Sequence, residues 1–159
     1  MYPEPDQQLT YQTDDCVYFF THAYDPLSNW SAHAVDIWGM RFSTVEHAFQ
    51  WRKFADTEPD IASAILRAQS PWAAIQINRT LGQGRLSSNW SETRAEVIEE
   101  LLGAKAAQHE DVRNCLRMTG GRKIVENHPT DSFWGSGPEG DGENIMGVLW
   151  MKIREELNE

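Results

Sequence analysis

Ser43-Thr44-Val45-Glu46-His47-Ala48-Phe49-Gln50-Trp51-Arg52-Lys53-Phe54-Ala55 is the stretch on which the reading of this chain turns. Ser43, followed three residues later by Glu46, predicts a capping box in which the hydroxyl caps a helix and the carboxylate reaches back to it. The helix is expected to run to about Ala55 or Asp56 and to end ahead of Pro59. At about 100° per residue, Val45, Ala48, Phe49, Trp51 and Ala55 share one broad apolar face, and Phe54 lies on the other side. Between Phe49 and Phe54 runs a narrow stripe of Glu46, Gln50 and Lys53. Glu46 and Lys53 fall within about 20° of each other and roughly 10 Å apart along the axis. A solvated stripe is normally wider and less flanked by aromatics. A carboxylate, an amide and an amine are therefore expected to point into a partly apolar place, with room for a ligand between the two charges. The plainer alternative is that Glu46 only completes the capping box and Lys53 only favours the negative helix end.

The flanking sequence predicts a helix-rich α+β domain with a few short strands. Met1 to Asp15 is polar and without period, a loose leader before a single domain spanning 16–159. Cys16 to Phe20 is a β-branched and aromatic run, expected as a strand, and His33 to Phe42 reads as a hairpin bending at Gly39. Further helices are expected at Asp60 to Ala68, from Ser70-Pro71 onward, from Asn89 or Ser91 to Gln108, and at Asp111 to Met118. Lys123 to Glu126 reads as a short strand, Asp131 to Gly142 as a flexible Gly-rich loop, and Asn144 as the cap of a last helix, Ile145 to Leu157. Strands and helices do not alternate regularly, which argues against a doubly wound sheet.

Composition narrows the function. The formal net charge is −10, and the first 40 residues hold no Lys or Arg at all. No extended basic surface for nucleic acid or an anionic membrane is expected, although a single base or a free nucleotide remains possible. No apolar run reaches the roughly 18 residues of a membrane helix. The start lacks a secretory signal, and two distant cysteines, Cys16 and Cys115, suggest reduced thiols and a cytoplasmic protein. The five histidines show no metal-ligand spacing, and no metal or organic cofactor is expected. His47 reads as a packing residue.

Seven tryptophans is many for this length. Trp38, Trp51, Trp72 and Trp150 lie in apolar patterns and are expected in the core. Trp30, Trp90 and Trp134 stand in loop-like or helix-entry contexts, where exposed indoles commonly serve as stacking platforms for bases. Gly135, Gly137 and Gly140 spell a dinucleotide fingerprint only formally, because neither the strand before it nor the helix opening within it is present. Asp131, just before Phe133-Trp134, is a possible second carboxylate.

Taken in order, Phe19-Phe20, Leu27-Ser28-Asn29-Trp30, Ser43-x-x-Glu46-His47-x-Phe49-Gln50-x-x-Lys53-Phe54, Asn89-Trp90, Ala104-Lys105 with Gln108-His109, and Asp131-x-Phe133-Trp134-Gly135-x-Gly137 resemble the NADAR family, also called YbiA-like. The resemblance covers about residues 17–157. It implies a helix-rich α+β fold and hydrolysis of N-glycosidic bonds, either of a ribosylaminopyrimidine phosphate of riboflavin synthesis or of ADP-ribosylated guanine. It assigns the catalytic glutamate and lysine to Glu46 and Lys53, with Asp131 beside them. Asn29, Trp30, Arg41, Gln50, Trp90, Trp134, Gly135 and Asn144 are then candidate substrate-binding residues, with Arg41 or Arg85 meeting the phosphate. Two routes fit: an oxocarbenium-like cleavage served by carboxylates, and a Schiff base formed by Lys53. The second needs a neutral amine, which burial would favour and the Glu46 charge would oppose. The alternative from another class is a module that binds ADP-ribose or a nucleotide without chemistry.

Overall fold

The computed structural model describes residues 9–20 and 25–159. Residues 1–8 of the expected leader, and His22, lie outside them. In chain order the elements are β1 (Tyr11–Gln12), β2 (Cys16–Phe19), a 3-10 turn (Asp25–Leu27), β3 (Val35–Ile37), β4 (Met40–Phe42), α1 (Val45–Arg52), α2 (Pro59–Leu66), α3 (Pro71–Leu81), α4 (Trp90–Gln108), α5 (Glu110–Met118), β5 (Lys123–Glu126) and α6 (Ile145–Leu157). This is the helix-rich α+β class anticipated. The chain groups into two compact units, Met1–Ser28 with His109–Glu159, and Asn29–Gln108.

In the first unit a three-stranded sheet runs β1-β2-β5. Strand β2 pairs antiparallel with β1 and parallel with β5, from Cys16 opposite Lys123 to Phe19 opposite Glu126. Val17, Phe19, Ile124 and Val125 are buried, as expected of β-branched and aromatic strand residues covered by helices. Trp150 of α6 is fully buried and donates its indole N–H to the Leu27 carbonyl at 3.0 Å. Truncating such a side chain costs about 3–5 kcal/mol. Tyr11 and Gln12, within the stretch read as a loose leader, are strand residues instead. Tyr11 stacks on Tyr18 across the ladder with ring centroids 4.5 Å apart, a cross-strand pair that a two-residue strand is too short to announce by periodicity.

The Gly-rich stretch is held at both ends by backbone hydrogen bonds, with Pro138 to Asp141 exposed between them. Ser136 N–H donates to the Glu126 carbonyl, and the amides of Gly142, Glu143 and Asn144 donate to Ser136, Ser132 and Gly135 carbonyls. A side chain on Gly135 would stand 2.6 Å from the Glu126 carbonyl oxygen, so only glycine lets the loop approach β5 this closely. Asn144 is the N-cap of α6 as expected, but in the left-handed region (φ 52°) and with no side-chain hydrogen bond to the helix. Its amide accepts from Glu126 N–H and donates to the Ile124 carbonyl, both at 2.9 Å, satisfying backbone groups of an edge strand.

In the second unit, β3 and β4 form an antiparallel hairpin turning at Trp38 and Gly39, both with positive φ. Thr44 rather than Ser43 caps α1. Its backbone is extended and its hydroxyl accepts from His47 N–H at 3.2 Å. The His47 ring then settles by elimination. Nε2 must donate to the Ala68 carbonyl at 2.9 Å, so Nδ1 accepts from the Thr44 hydroxyl at 2.8 Å. His47 is the satisfied packing residue anticipated. Pro59 occupies the first position of α2, one residue before the expected start, and Ser70 caps α3 by accepting from Ala73 N–H. Phe54 is fully buried among Ile61, Ala62, Ile65 and Ala74. Of the four tryptophans expected in cores, Trp150 conforms. Trp38 and Trp51 are half-buried and stack on each other at 5.9 Å, and Trp72 is 42% exposed. The apolar run after Pro71 misleads because Ala74 is the one buried residue of α3.

Candidate active site

Val45 through Gln50 are all buried, so the first turns of α1 have no solvent face. Polar side chains placed there need partners, because desolvating them unpaired costs several kcal/mol. With Thr44 as the cap, Glu46 is released from the capping role the sequence suggested. Its Oε1 accepts from Gln50 Nε2 at 2.8 Å, and Gln50 Oε1 in turn accepts from Asn78 Nδ2 of α3 at 2.8 Å. The second carboxylate oxygen takes no hydrogen bond among the described residues. Burial pushes the Glu46 pKa above its ordinary value, against the smaller opposing effects of the Gln50 hydrogen bond and the Lys53 charge.

Lys53 follows the last residue of α1, two turns beyond Glu46. Its Nζ lies 4.8 Å from the Phe49 ring centroid and 5.7 Å from that of Trp90, the residue that opens α4. Phe49 and Trp90 are themselves 5.3 Å apart, so two rings wall the amine. Burial lowers the Lys53 pKa; the Glu46 charge opposes this and Arg94 assists it. The contest left open by the sequence is thus decided for desolvation. Among the described residues Glu46 and Lys53 do not close into an ion pair. The acid is biased toward its protonated form and the amine toward its neutral form.

The segment beside them is fixed from two sides. The Asn29 carbonyl accepts from Glu46 N–H at 3.1 Å, and the Asn29 side-chain oxygen is buried without a hydrogen-bond partner among the described residues. Two residues on, Ser31 Oγ accepts from Lys105 Nζ at 2.6 Å and lies 2.7 Å from His33 Nδ1. Lys105 is fully buried on α4. The sequence reading did not single out Asn78 or Lys105 as site residues. Asn78 carries no local signal, since its partner is 28 residues away. A lysine in the last turn of a helix ordinarily reads as a solvated charge.

The remaining candidates fare unequally. Arg41 is an exposed residue of β4 and holds the Asp36 carboxylate across the hairpin at 2.9 Å. Arg85 likewise stands 3.5 Å from Glu58. Trp30 lies on the fixed segment and faces Trp72. In the other unit, Asp131 Oδ1 accepts from both Phe133 N–H and Trp134 N–H, at 2.9 and 2.8 Å. That is a turn role, and it orients the Phe133–Trp134 pair, whose rings meet edge to face at 4.7 Å. His128 Nδ1 accepts from the amides of Thr130 and Asp131, which holds this turn in place. Gly135 and Asn144 serve the edge of β5. Asn144 is a correction to the expected substrate contact, because both ends of its amide are committed to backbone.

Among the described residues no group of three or more His, Cys, Asp or Glu gathers to hold a metal, and no helix is long and apolar enough to cross a membrane. The chain is similar to several known proteins. The N-glycosidase YbiA of Escherichia coli is 32% identical over 98% of this chain and 97% of its own. An N-glycosidase of Nostoc punctiforme is 34% identical over 89% of this chain and 92% of its own. The chloroplastic riboflavin biosynthesis protein PYRR of Zea mays is 32% identical over 98% of this chain, which matches 27% of that longer protein. The solution structure of E. coli YbiA superposes with a TM-score of 0.77, at 31% identity over 96% of this chain and 90% of the other. With the NADAR domain model matching residues 18–158, this chain belongs to the NADAR domain family.

Proposed function

We propose that this protein is a hydrolase of N-glycosyl bonds, acting on the N-ribosyl bond of a ribosylaminopyrimidine phosphate or of ADP-ribosylated guanine. The observation that carries the reading is the pair of Glu46, buried in α1, and Lys53, half-buried just past its end: they are not joined as an ion pair, and burial shifts them toward protonated acid and neutral amine. The N-glycosidase names of relatives aligned along nearly their whole length support it.

The bias favours the Schiff-base route. The Lys53 amine bonds to the anomeric carbon while the bond from that carbon to the base nitrogen breaks, and Glu46 gives its proton to the departing nitrogen. The sugar opens as its ring oxygen takes the proton lost by the amine, leaving an imine between Nζ and the former anomeric carbon. Water adds to that carbon, the amine departs, and the sugar closes with a hydroxyl where the base had been. The Phe49 and Trp90 rings flank the amine, and burial there lowers its pKa from the ordinary lysine value. A module that merely held a nucleotide would gain nothing from burying an acid and an amine apart.

The test is incubation with a ribosylaminopyrimidine phosphate and with an ADP-ribosylated guanine nucleotide, following free base by chromatography. Release from neither sinks the reading. Borohydride added during turnover is expected to leave a sugar mass on the Lys53 peptide; turnover without that adduct moves the chemistry to the oxocarbenium route. We also place the protein in the cytoplasm, a reading that Cys16 and Cys115 support by forming no disulfide while both are buried.

A further inference from the structure

Trp38 and Gly39 join Ile37 to Met40, which pair across the β3–β4 hairpin, and their φ angles are 54° and 75°. A two-residue turn of this hand favours Asn, Asp or Gly at its first position, and a bulky aromatic there is strained. Such strain persists only where the surroundings over-determine it.

Here they do so from several sides. The Trp38 ring stacks on Trp51 with centroids 5.9 Å and planes 16° apart, and it meets Phe42 edge to face at 6.1 Å. The Arg52 guanidinium lies 5.7 Å from the Trp38 centroid. Trp38 Nε1 donates to Glu100 Oε1 of α4 at 3.0 Å. The hairpin is held to α4 a second time: Asp36 N–H donates to Gln108 Oε1, and Gln108 Nε2 donates to the Asp36 carbonyl, both at 2.8 Å. The two anchors stand about 12 Å apart along the helix.

Trp51 and Arg52 end α1, directly before Lys53, whose backbone is still helical. In projection Trp51 lies about 160° from both Phe49 and Lys53. Trp90 meets Phe49 at 5.3 Å and the Lys53 amine at 5.7 Å on one side of α1, and Trp38 meets Trp51 on the other. Both indoles are fastened to α4, Trp90 as its first residue and Trp38 through Glu100. The last turn of α1 therefore stands between two rings anchored on one helix.

We propose that Trp38 is a positioning residue, which braces the last turn of α1 toward Trp90 and so keeps the Lys53 amine enclosed between the Phe49 and Trp90 rings. The inference rests on the N-glycosidase reading, in which that amine is the nucleophile, and adds a residue on the far side of the helix that readies it. The strained turn is then explained: an asparagine would suit the backbone and could not fill the space against Trp51 and Arg52.

The experiment labels lysines of the full chain with acetic anhydride across pH and follows the Lys53 peptide by mass, so the midpoint reports the amine whether or not a substrate is known. Glu46 of α1 and Arg94 of α4 are the charged groups that act on Lys53, and no variant touches either. Trp38→Gly keeps a residue suited to positive φ and removes the ring. Its midpoint is expected to move roughly one pH unit toward 10.5, as the amine becomes better solvated. Trp38→Phe keeps a ring and should stay near wild type. Glu100→Ala, on the exposed face of α4, removes only the tether and should shift the midpoint the same way by less. A wild-type midpoint in Trp38→Gly overturns the brace, as it does in Glu100→Ala if Trp38→Gly loses its native circular dichroism. With an active substrate, Trp38→Gly should lower kcat roughly tenfold or more, with the alkaline limb of the pH profile moving outward. Failure of the enzymatic reading looks different: no base is released by wild type, while the labelling midpoint still depends on Trp38.

Discussion

Glu46 and Asp131 are both carboxylates that the sequence offered as catalytic, and their surroundings differ in kind. Glu46 sits where six successive helix residues are buried, accepts one hydrogen bond from a side-chain amide, and has its pKa raised by burial. Asp131 is only half-buried and accepts two backbone N–H groups with one oxygen. Asn144 is the extreme of the second kind, with every polar atom of its amide bound to β5. What distinguishes the proposed acid from the structural polar groups here is the identity of the partner. Backbone partners are fixed by the fold and hold a loop in place. A side-chain chain such as Asn78–Gln50–Glu46 fixes orientation and leaves proton affinity adjustable.

The comparison breaks most visibly at the reactive pair. Glu46→Gln and Lys53→Met are each expected to lower turnover at least about a hundredfold, the low end for loss of an acid–base group, with native circular dichroism. Normal turnover in both would refute the site. Next in size are the scaffold residues. Asn144→Ala orphans Glu126 N–H and the Ile124 carbonyl and is expected to cost about 2–6 kcal/mol in urea unfolding, at about 1–3 kcal/mol for each buried group left unsatisfied. Gly135→Ala should cost a similar amount through its clash with the Glu126 carbonyl.

A finer distinction comes from pH. If Glu46 is the acid and Lys53 the nucleophile proposed, kcat/KM should be bell-shaped, with its limbs drawn inward from the ordinary 4.5 and 10.5 of the two groups. Glu46→Gln should abolish one limb in whatever activity remains. A profile whose limbs sit at the ordinary values would contradict the burial of the pair.

The smallest effect is the most diagnostic, because its sign is opposite to that for scaffold residues. A raised Glu46 pKa means that the native state holds this proton more tightly than the unfolded chain, so its contribution to stability falls as pH rises above 4.5. A lowered Lys53 pKa means that the native state holds that proton less tightly, so the cost is full at low pH and lifts as pH rises toward 10.5. At neutral pH both groups therefore cost stability. Glu46→Gln, which keeps an acceptor for Gln50 Nε2, is expected to raise Tm by about 2–4 °C for each 1 kcal/mol relieved, while removing activity. A fall in Tm would place Glu46 with the scaffold.

Local chemistry determined much of this protein. Ser70-Pro71 opened α3 as read, the run from Cys16 to Phe19 made a strand, and the spacing of Glu46, Gln50 and Lys53 put an acid, an amide and an amine along one helix. Such features depend on residues within a turn or two of each other, where hydrogen-bond reach and side-chain direction are fixed by the backbone alone. Tertiary structure decided the rest. It chose Thr44 over Ser43 as cap, paired β2 in parallel with a strand more than a hundred residues later, brought Asn78 to Gln50, and turned Trp72 outward. It also decided the proton bias of the reactive pair, because desolvation depends on what packs around a group from every side.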